Sequence, residues 1–530
     1  MQVQNYANRK SYQDILVKRV VPLKDGYRQN IALIGEEQLG KTTIVFKFLN
    51  NFCDSRFIMV YMDCRPEPLV TFARRFIGVL LYNFLTPSNA PLKEDLDFLI
   101  TKASSHIPET VARIRAILAD LKKRKKENTL NSLFSLTDLI HKETNKFCVV
   151  VLDEFHNLEH LGVKNVYKEW SKLLILQKTT MYVIISSQIF KTKNILSKDL
   201  CLLFGNFEVI TVEPFDIKTT EEYLGSRLKG IGLDLGVRNF IVHFTGGHPF
   251  YLDLICGELL KAEKSSLADI LENLFFLSSG ALNQRFTNYL KRFEDTQFSR
   301  DYTSILYLIS SGQNKIKDIA HILRKPKKEI DLRVNYLLET DVISRSVDFL
   351  KINDRILGFW LKFVYQEKLH SLTFDSVNQK ALFRKNIDDM IGEFLKQANI
   401  PVSQRVTELV RLFSDDRIQI ERRRLTLNHF REIKPLEFRN KGLREGLICR
   451  STDSQWIFGF KYDPLTEEDI SEFSRECKKY RHKQQRKIIV ALRDIEQNSR
   501  LKALEEKIWA WDLNSINQLF DVFSKPRIIV

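Results

Sequence analysis

The sequence predicts a multidomain α/β protein: a parallel sheet flanked by helices, then a helical lid, a winged helix-turn-helix and a second, C-terminal α/β domain. Three observations predict the first sheet. The apolar run Asn30–Ile34 leads into a glycine-containing loop, the run Phe147–Leu152 ends in two acids, and the run Met181–Ile185 ends in polar residues. Short continuous apolar runs of this kind are typical of strands buried on both faces of a parallel sheet.

Length and composition predict several soluble domains. The chain has 530 residues, 44% hydrophobic and 28% charged, so we expect three or four domains of about 100–200 residues each. The sequence contains no apolar stretch near the ~18 residues that a membrane span requires, and its N-terminus does not resemble a signal peptide. Seven cysteines without a CxxC pair argue against a disulfide scaffold or a zinc site, and they favour a reducing cytoplasm.

The charge of the chain indicates an anionic partner. The net charge is +16 and the pI is about 9.3. Nucleic acid is the usual partner of so basic a chain, and an anionic membrane surface comes second. The alternative is that the excess of lysine and arginine serves solubility alone.

The loop after the first run matches the pattern G-x-x-x-x-G-K-[ST], with a strand before it and the helix Ile44–Asn51 after it. Its two glycines let backbone N–H groups turn inward onto the phosphates of ATP. Lys41 would place its charge on the β- and γ-phosphates, and Thr42 would offer a hydroxyl to Mg²⁺. The predicted nucleotide-binding residues of this loop are Gly35, Glu36, Glu37, Gln38, Leu39, Gly40, Lys41, Thr42 and Thr43.

The acids after the second run, Asp153 and Glu154, fit the Walker-B pattern. Asp153 would hold the Mg²⁺ shell with Thr42, and Glu154 would orient or deprotonate the attacking water. After the third run, Ser187 or Gln188 would contact the γ-phosphate or the water; the alternative is a serine turn leaving the sheet. The predicted catalytic residues are Lys41, Glu154 and Ser187, and the predicted metal ligands are Thr42 and Asp153.

These motifs, together with Asn8-Arg9-Lys10 and Thr245–Leu252, come in the order seen in archaeal-type ATPases of the STAND branch, which are relatives of AAA+ proteins. The sequence resembles this family over about residues 5–365. The resemblance implies ATP hydrolysis, a place for Arg9 near the adenine, and a lid motif at Gly247-His248-Pro249 in which Pro249 packs on the base. The alternative for this lid motif is a plain helix start.

Three departures from the family pattern bear on catalysis. Glu36-Glu37-Gln38 stand where the family often has arginine or proline, the third strand lacks the usual Gly-Ser, and Gly205-Asn206 replaces a frequent Gly-Arg. We therefore expect hydrolysis that is slow, or that depends on a partner or a neighbouring subunit of a homo-oligomer. The sequence identifies no arginine finger, and Arg227 is suggested only by its place in the lid.

The segment after Asp301 predicts a winged helix-turn-helix. Helices are expected at Tyr302–Ser310, Lys315–Leu323 and Lys327–Glu339, and a hairpin at Val342–Ile352. The third helix would be the recognition helix, and cations near its start would contact DNA phosphates. The alternative is a protein-binding module. The candidate DNA-binding residues here are Lys325, Lys327, Lys328 and Arg333.

The last segment resembles a restriction-endonuclease-like domain, with strands expected at Gly446–Arg450, Trp456–Tyr462, Arg486–Leu492 and Ile508–Asp512. Such a domain needs an acid on one strand and Glu-x-Lys on the next to hold a metal. Here the second element reads Gly459-Phe460-Lys461, which predicts an inactive domain unless Asp463 or Glu393 supplies the missing acid. A basic run adds further candidate DNA contacts, or is a solvated helix end: Lys478, Lys479, Arg481 and Lys483.

The expected domains are a P-loop ATPase core (1–215), a helical lid (216–295), a winged helix-turn-helix (296–365) and a nuclease-like α/β domain (366–530). The function expected is an ATP-binding, ATP-hydrolysing switch that acts on DNA, with ATP and Mg²⁺ as cofactors and no membrane contact. One alternative is a nucleotide-gated signalling scaffold whose C-terminal domains bind proteins. A second alternative is an ATP-regulated nuclease.

Overall fold

A computed structural model shows two compact units, Met1–Pro214 and Phe215–Val530. The residues it describes are 9–86, 93–123, 128–201, 207–261, 266–294, 296, 298–367, 376–420, 423–438, 442–443, 445–480, 482 and 484–530.

The first unit alternates strands and helices. Its strands are β1 Ile31–Ile34, β2 Phe57–Asp63, β3 Phe147–Asp153, β4 Thr180–Ser186 and β5 Glu208–Thr211. Its helices are α1 Lys10–Val20, α2 Lys41–Asn51, α3 Leu69–Leu85, α4 Leu96–Ala103, α5 Pro108–Lys122, α6 Thr129–Phe134, α7 Leu136–Thr144, α8 Val166–Leu176 and α9 Ile189–Lys198, with 3₁₀ turns at Val21–Asp25 and Phe155–Leu161.

The five strands form one parallel sheet in the order β2-β3-β4-β1-β5. Strand β4 therefore lies between the strand that precedes the glycine loop and the strand that ends in the acids. Because all strands run the same way, their carboxyl ends share one edge. The register pairs Ile34 with Ser186 at that edge, and Asp63 with Asp153.

Both faces of this sheet are covered, which explains its unbroken apolar strands. In β3, Val149 and Val151 face one core cluster, while Cys148, Val150 and Leu152 face the other. Alternate residues of a strand point to opposite faces, so a strand buried on both sides needs apolar residues at every position. The predicted α/β core with a parallel, helix-flanked sheet is confirmed.

The second unit begins with helices and ends in a mixed sheet. Its helices are α10 Ile217–Arg227, α11 Leu235–Thr245, α12 Pro249–Lys261, α13 Leu267–Phe275, α14 Ala281–Glu294, α15 Ser299–Ser310, α16 Ile316–Leu323, α17 Lys327–Glu339, α18 Arg355–Trp360, α19 Ser376–Ala398, α20 Val402–Val410, α21 Glu467–Cys477, α22 Gln497–Glu505 and α23 Leu513–Val522. Its strands are β6 Ile343–Ser346, β7 Phe349–Ile352, β8 Asp416–Ile420, β9 Arg423–Leu427, β10 Glu432–Glu437, β11 Glu445–Arg450, β12 Gln455–Lys461, β13 Gln485–Ala491 and β14 Ile508–Trp511.

Strands β10 to β14 form a sheet in chain order, antiparallel from β10 to β12 and parallel from β12 to β14. Strands β6 and β7 form a hairpin, and so do β8 and β9. Main-chain and side-chain hydrogen bonds join the two hairpins: Arg417 N donates to Asp348 Oδ2 (2.8 Å) and Gln419 N donates to Ser346 Oγ (3.0 Å). Phe349 belongs to the core of the C-terminal sheet, so the first hairpin is packed against that sheet.

The expected strands near residues 446, 456, 486 and 508 are present, as are the three helices and hairpin between 299 and 352. Three of the features that were not predicted lie in the second unit. The hairpin β8–β9 was interpreted as a basic cluster, because its second strand begins with the exposed arginines Arg423 and Arg424. Strand β10 contains Pro435, which is tolerated because β10 is an edge strand. Helix α19 is longer than the expected Asn386–Gln397.

Candidate nucleotide-binding site

The loop between β1 and α2 requires both of its glycines. A Cβ at Gly35 would lie 2.6 Å from the Val212 carbonyl oxygen, so a side chain has no room there. Gly40 has a φ of +85°, a left-handed conformation that glycine adopts without strain. Leu39 is buried in the core beneath the loop, while Glu37 and Gln38 are exposed and Glu36 is half-buried. Glu37 therefore lies at the surface of the loop.

Lys41 is the first residue of α2, and its ammonium lies inside the loop. It is 5% exposed, and its Nζ donates to the carbonyl oxygens of Gly35 (2.8 Å) and Glu36 (2.6 Å). Burial lowers the pKa of Lys41, and the carboxylates of Glu154 and Asp153 oppose that shift. The first N–H groups of α2, from Lys41 to Thr43, lack partners within the helix and add partial positive charge. This arrangement suits the oxygens of a phosphate chain.

Asp153 lies at the end of β3, 5% exposed, and receives two side-chain hydrogen bonds on one oxygen. Thr42 Oγ1 and Tyr61 OH each donate to Asp153 Oδ2 at 2.7 Å, while Glu154 N donates to Oδ1 at 3.0 Å. A hydroxyl and a carboxylate in contact fit Mg²⁺, which binds one or two protein oxygens and completes its shell with phosphates and water. Among the described residues, no three His, Cys, Asp or Glu side chains come together in a group that could hold a metal ion.

Glu154 follows in the left-handed region, with a φ of 48°, and its carboxylate is held by Ser187. Ser187 donates two hydrogen bonds to Glu154 Oε2, from its N and its Oγ, both at 2.9 Å. Burial raises the pKa of Glu154, and these hydrogen bonds oppose the shift. The structure thus brings together Glu154 and Ser187, the expected base and the expected sensor residue, from two neighbouring strands.

Two residues of this network were missed from the sequence, Tyr61 and His156. His156 Nδ1 lies 2.9 Å from Ser186 Oγ and 3.3 Å from Glu154 Oε2. Burial lowers the pKa of His156 to about 4, so the ring is neutral at physiological pH. Tyr61 is a polar residue near the end of β2, and that position could have indicated a role at the sheet edge. It was missed because β2 was not predicted to lie next to β3.

Arg9 belongs to the first unit, and the Gly-x-Pro motif Gly247–Pro249 belongs to the second. Arg9 is buried, and its Nη2 donates to the Leu39 carbonyl of the glycine loop (3.2 Å). Asn8 lies outside the described residues. In the second unit, Pro249 is the buried first residue of α12. A Cβ at Gly247 would lie 2.0 Å from the Phe215 carbonyl oxygen, and Gly247 O accepts from Phe215 N (2.9 Å).

The cations expected to contact DNA differ in their availability. Lys325 Nζ pairs with Asp301 (2.7 Å) and Glu329 (3.0 Å), and Arg333 lies 3.6 Å from Asp301. Lys327, Lys328 and Lys478 are exposed, whereas Lys479 pairs with Glu476 (2.6 Å). Arg227 pairs with Asp253 (2.8 Å). Arg481, Lys483 and Gly205-Asn206 lie outside the described residues.

The chain is similar to several solved structures. A Walker-type ATPase of Pyrococcus abyssi matches with a TM-score of 0.50 and 17% identity, over 67% of this chain and 95% of that one. The Aeropyrum pernix ORC2 protein in its ADPNP-ADP complexes matches with a TM-score of 0.42 and 10% identity, over 69% and 95%. The Aeropyrum pernix ORC1 protein in complex with DNA matches with a TM-score of 0.34 and 13% identity, over 67% and 92%.

No family model matches the chain, and no curated protein matches it. At 17% identity, the likeness to the Pyrococcus protein shows a shared fold. The shared fold includes a parallel sheet flanked by helices. Across the described residues, no helix is long and apolar enough to cross a membrane.

Proposed function

We propose that this protein binds and hydrolyses ATP and uses the nucleotide state as a switch for an action on DNA. The observation that carries the proposal is the meeting of three pairs at one sheet edge: Lys41 with the loop carbonyls, Thr42 with Asp153, and Ser187 with Glu154. Such a set provides a phosphate cradle, a metal-binding pair and a base beside the same loop.

Each side chain then has a defined task. Lys41 and the N–H groups of the loop bind the phosphate oxygens, and Thr42 and Asp153 hold Mg²⁺. When bound, Mg²⁺ neutralises charge that develops on the phosphates. Glu154 orients the attacking water and accepts its proton, and Ser187 positions the Glu154 carboxylate. Arg9, which contacts the glycine loop through the Leu39 carbonyl, lies near the base in this proposal.

ATP turnover by the purified protein, with and without duplex DNA, tests the proposal. Lys41→Ala removes the phosphate contact and Glu154→Gln removes the base, so both should abolish turnover. The Gln variant should retain ATP binding, because it keeps the size of the side chain. Turnover that rises with DNA supports the switch. Tight ATP binding without turnover, or turnover indifferent to DNA, contradicts it.

For DNA contact, we propose that α15–α17 and the hairpin β6–β7 form a winged helix-turn-helix within residues 296–365. Lys327 and Lys328 lie exposed at the start of α17, the part of a recognition helix that approaches a groove. Lys478 is a further exposed cation. Because such contacts are to phosphates, DNA binding should weaken steeply with salt.

One observation favours the alternative of a nucleotide-gated scaffold that binds proteins. Lys325 and Arg333 are already paired with acids, and Arg333 also lies over the Phe298 ring, 3.3 Å from its centroid. On α16 and α17, Ile322 and Leu332 are 46% and 58% exposed. Exposed apolar side chains suit a protein surface better than a phosphate backbone. Salt-insensitive DNA binding, or none, would favour the scaffold.

The nuclease alternative is the weakest, because aromatic rings fill the place of the missing acids. Gly446 and Gly459 are paired across β11 and β12, and a Cβ on them would lie 2.4 Å from the Phe438 ring and 2.9 Å from the Phe473 ring. Lys461 is buried in an ion pair with Asp469 (2.9 Å). We therefore propose an inactive nuclease-like domain in residues 366–530. Metal-dependent cutting of plasmid, lost in Lys461→Ala, would contradict this.

A further inference from the structure

Tryptophan and arginine side chains alternate across one face of the C-terminal sheet, next to its outer strand β14. Arg486 Cζ lies 5.1 Å from the ring centroid of Trp456 and 5.4 Å from that of Trp509, and Arg423 Cζ lies 5.5 Å from Trp509 on its own side. Guanidinium groups within about 6 Å of an indole are attracted to it. These four residues, here called the tryptophan–arginine row, end in an exposed cation, Arg423.

A cavity of about 180 Å³ adjoins the row. All four residues of β14 line it, so it extends over both faces of the strand and across the outer edge of the sheet. A cavity of about 150 Å³ is large enough for a benzene-sized ring. The space therefore suits one six-membered planar ring. Its other walls come from the hairpin β8–β9 and from α22, through Ile420, Arg423, Arg500 and Leu504.

The cations around this cavity are poorly supplied with acids. Arg423 forms no ion pair with a carboxylate of the described residues, and the buried Arg486 Nη1 meets no acceptor among them. Arg500 contacts Asp512 at 3.2 Å with its side chain 50% exposed, an arrangement that holds weakly in water. An anionic group can therefore reach Arg423 and Arg500 without displacing a buried partner.

We propose that the cavity and the tryptophan–arginine row bind single-stranded nucleic acid, with one unpaired base in the cavity and its phosphate on Arg423 and Arg500. This inference rests on the proposed action on DNA and specifies the form of DNA bound. Unpaired bases stack on aromatic side chains, and guanidinium forks bind phosphate. A duplex keeps its bases inside and would leave the cavity unused. An acidic peptide would satisfy the charges, but its carboxylates do not suit a cavity walled by indoles and aliphatic groups.

The site is separate from the nuclease-like centre around Lys461. Gly459 and Lys461 share β12 with Trp456 but are an odd number of residues away from it, so they face the opposite side of the sheet from the row. A substitution beside β14 therefore leaves the surroundings of Lys461 unchanged, which allows the two sites to be tested independently.

Fluorescence anisotropy with a labelled thymidine oligonucleotide of about 12 nucleotides tests the proposal on the full chain. Arg423→Gln should weaken binding roughly tenfold, since a hydrogen-bonded charge on the phosphate is lost. It should also reduce the dependence of log affinity on log salt by about 0.7. Arg424→Gln is the matched control: it makes the same charge change on the same strand, but its side chain points to the opposite face.

Trp509→Leu gives a second, uncharged variant. Loss of the stacking surface should weaken binding by roughly fivefold or more, with circular dichroism confirming that the protein is folded. In the unaltered protein, the oligonucleotide should quench tryptophan fluorescence. Equal effects of Arg423→Gln and Arg424→Gln would overturn the proposal. So would Arg423-dependent binding of a glutamate-rich peptide when the oligonucleotide does not bind.

The outcome can be separated from that of the proposed function. If duplex DNA stimulates ATP turnover in both the unaltered protein and Arg423→Gln, while the oligonucleotide binds both equally, the inference fails and the proposed function stands. If the oligonucleotide binding depends on Arg423 but turnover never responds to any DNA, the binding site stands and the proposed ATP-driven switch fails.

Discussion

Asp153 Oδ2 accepts hydrogen bonds from Thr42 and from Tyr61, and this shared acceptor defines the orientation of the carboxylate. Thr42 is expected to turn toward Mg²⁺ as well. Tyr61 then remains as the side chain that holds Asp153 Oδ2, beside the Glu154 N–H on Oδ1, which makes Tyr61 a positioning residue for the metal-binding pair.

Tyr61→Phe should raise the Mg²⁺ concentration needed for half-maximal ATP turnover by roughly tenfold, because a hydrogen bond to a charged group contributes about 1.5–3 kcal/mol. The measurement is turnover as a function of Mg²⁺ at saturating ATP. Tyr82→Phe, on the partly exposed face of α3, is the control and should change nothing. An unchanged Mg²⁺ requirement in Tyr61→Phe would show that Thr42 and the Glu154 N–H suffice to position Asp153.

The Glu154 carboxylate leads to a prediction on pH. A base works when ionised, and burial raises the pKa of Glu154 above its usual 4.5. Turnover should therefore fall as the pH drops through that raised value. Because hydrogen bonds from Ser187 favour the ionised form, Ser187→Ala should move this acid limb to higher pH. A pH profile of kcat that is lower everywhere but unshifted would indicate that Ser187 acts on the phosphate instead.

The sequence could predict the role of a single residue only where that residue belongs to a motif of fixed spacing. Lys41, Thr42, Asp153 and Glu154 stand in short patterns that carry their own context, so they could be identified directly. Tyr61 and His156 reach the same site through strand order and a 3₁₀ turn, which leave no local pattern.

Among the secondary-structure elements, the junction between α11 and α12 requires a glycine at position 247. Gly247 has a φ of 82° and meets the Phe215 carbonyl, so Gly247→Ala should destabilise the second unit by at least about 1–3 kcal/mol. Gly257→Ala, in the middle of α12 with open space around it, should instead stabilise by about 0.5–1 kcal/mol. Urea unfolding of both variants makes the comparison. Unchanged stability of Gly247→Ala would mean that the junction can relax.

Element prediction was accurate where hydrophobic patterning dominated and poor where charge masked it. Strands β11 to β14 were expected within a residue or two of their observed ends. The hairpin β8–β9 was missed because β9 begins with two adjacent exposed arginines, Arg423 and Arg424. Strand β10 was missed because Pro435 is unusual in a strand. Both lie at an edge or surface, where side chains report little about backbone structure.

At the scale of the second unit, a buried charge cluster links its helices to its C-terminus. Asp521 lies 2.5 Å from Arg355 and 2.7 Å from Arg527, and it is 4% exposed. Arg527 N also donates to His243 Nδ1 (3.2 Å) on α11. The nearby guanidinium groups hold the pKa of Asp521 well below its usual value, against the effect of burial.

Asp521→Asn should lower the free energy of unfolding of this unit by about 3–5 kcal/mol at neutral pH, because it leaves two guanidinium groups, with side chains only 28% and 21% exposed, without a counter-charge. A depressed carboxyl pKa stabilises the fold above its unfolded value of about 3.9, and that stabilisation is lost as the pH falls through the folded value. The difference in the free energy of unfolding between Asp521→Asn and the unaltered protein should therefore become smaller at acidic pH. The control is Glu505→Gln, an exposed partner of Lys502, expected to cost about 0–1 kcal/mol.

The joined hairpins β6–β7 and β8–β9 have a consequence for how this chain can be divided. Phe349 packs in the core of the C-terminal sheet, and Ser346 and Asp348 bond to the β8 backbone. A shortened chain ending near residue 365 would leave Phe349 in water and an unpaired strand edge exposed, the usual origin of insoluble protein. Residue 365 is therefore a domain boundary expected from the sequence but a poor site for truncation. Truncation after residue 214, at the boundary between the two compact units, is better suited to produce folded fragments.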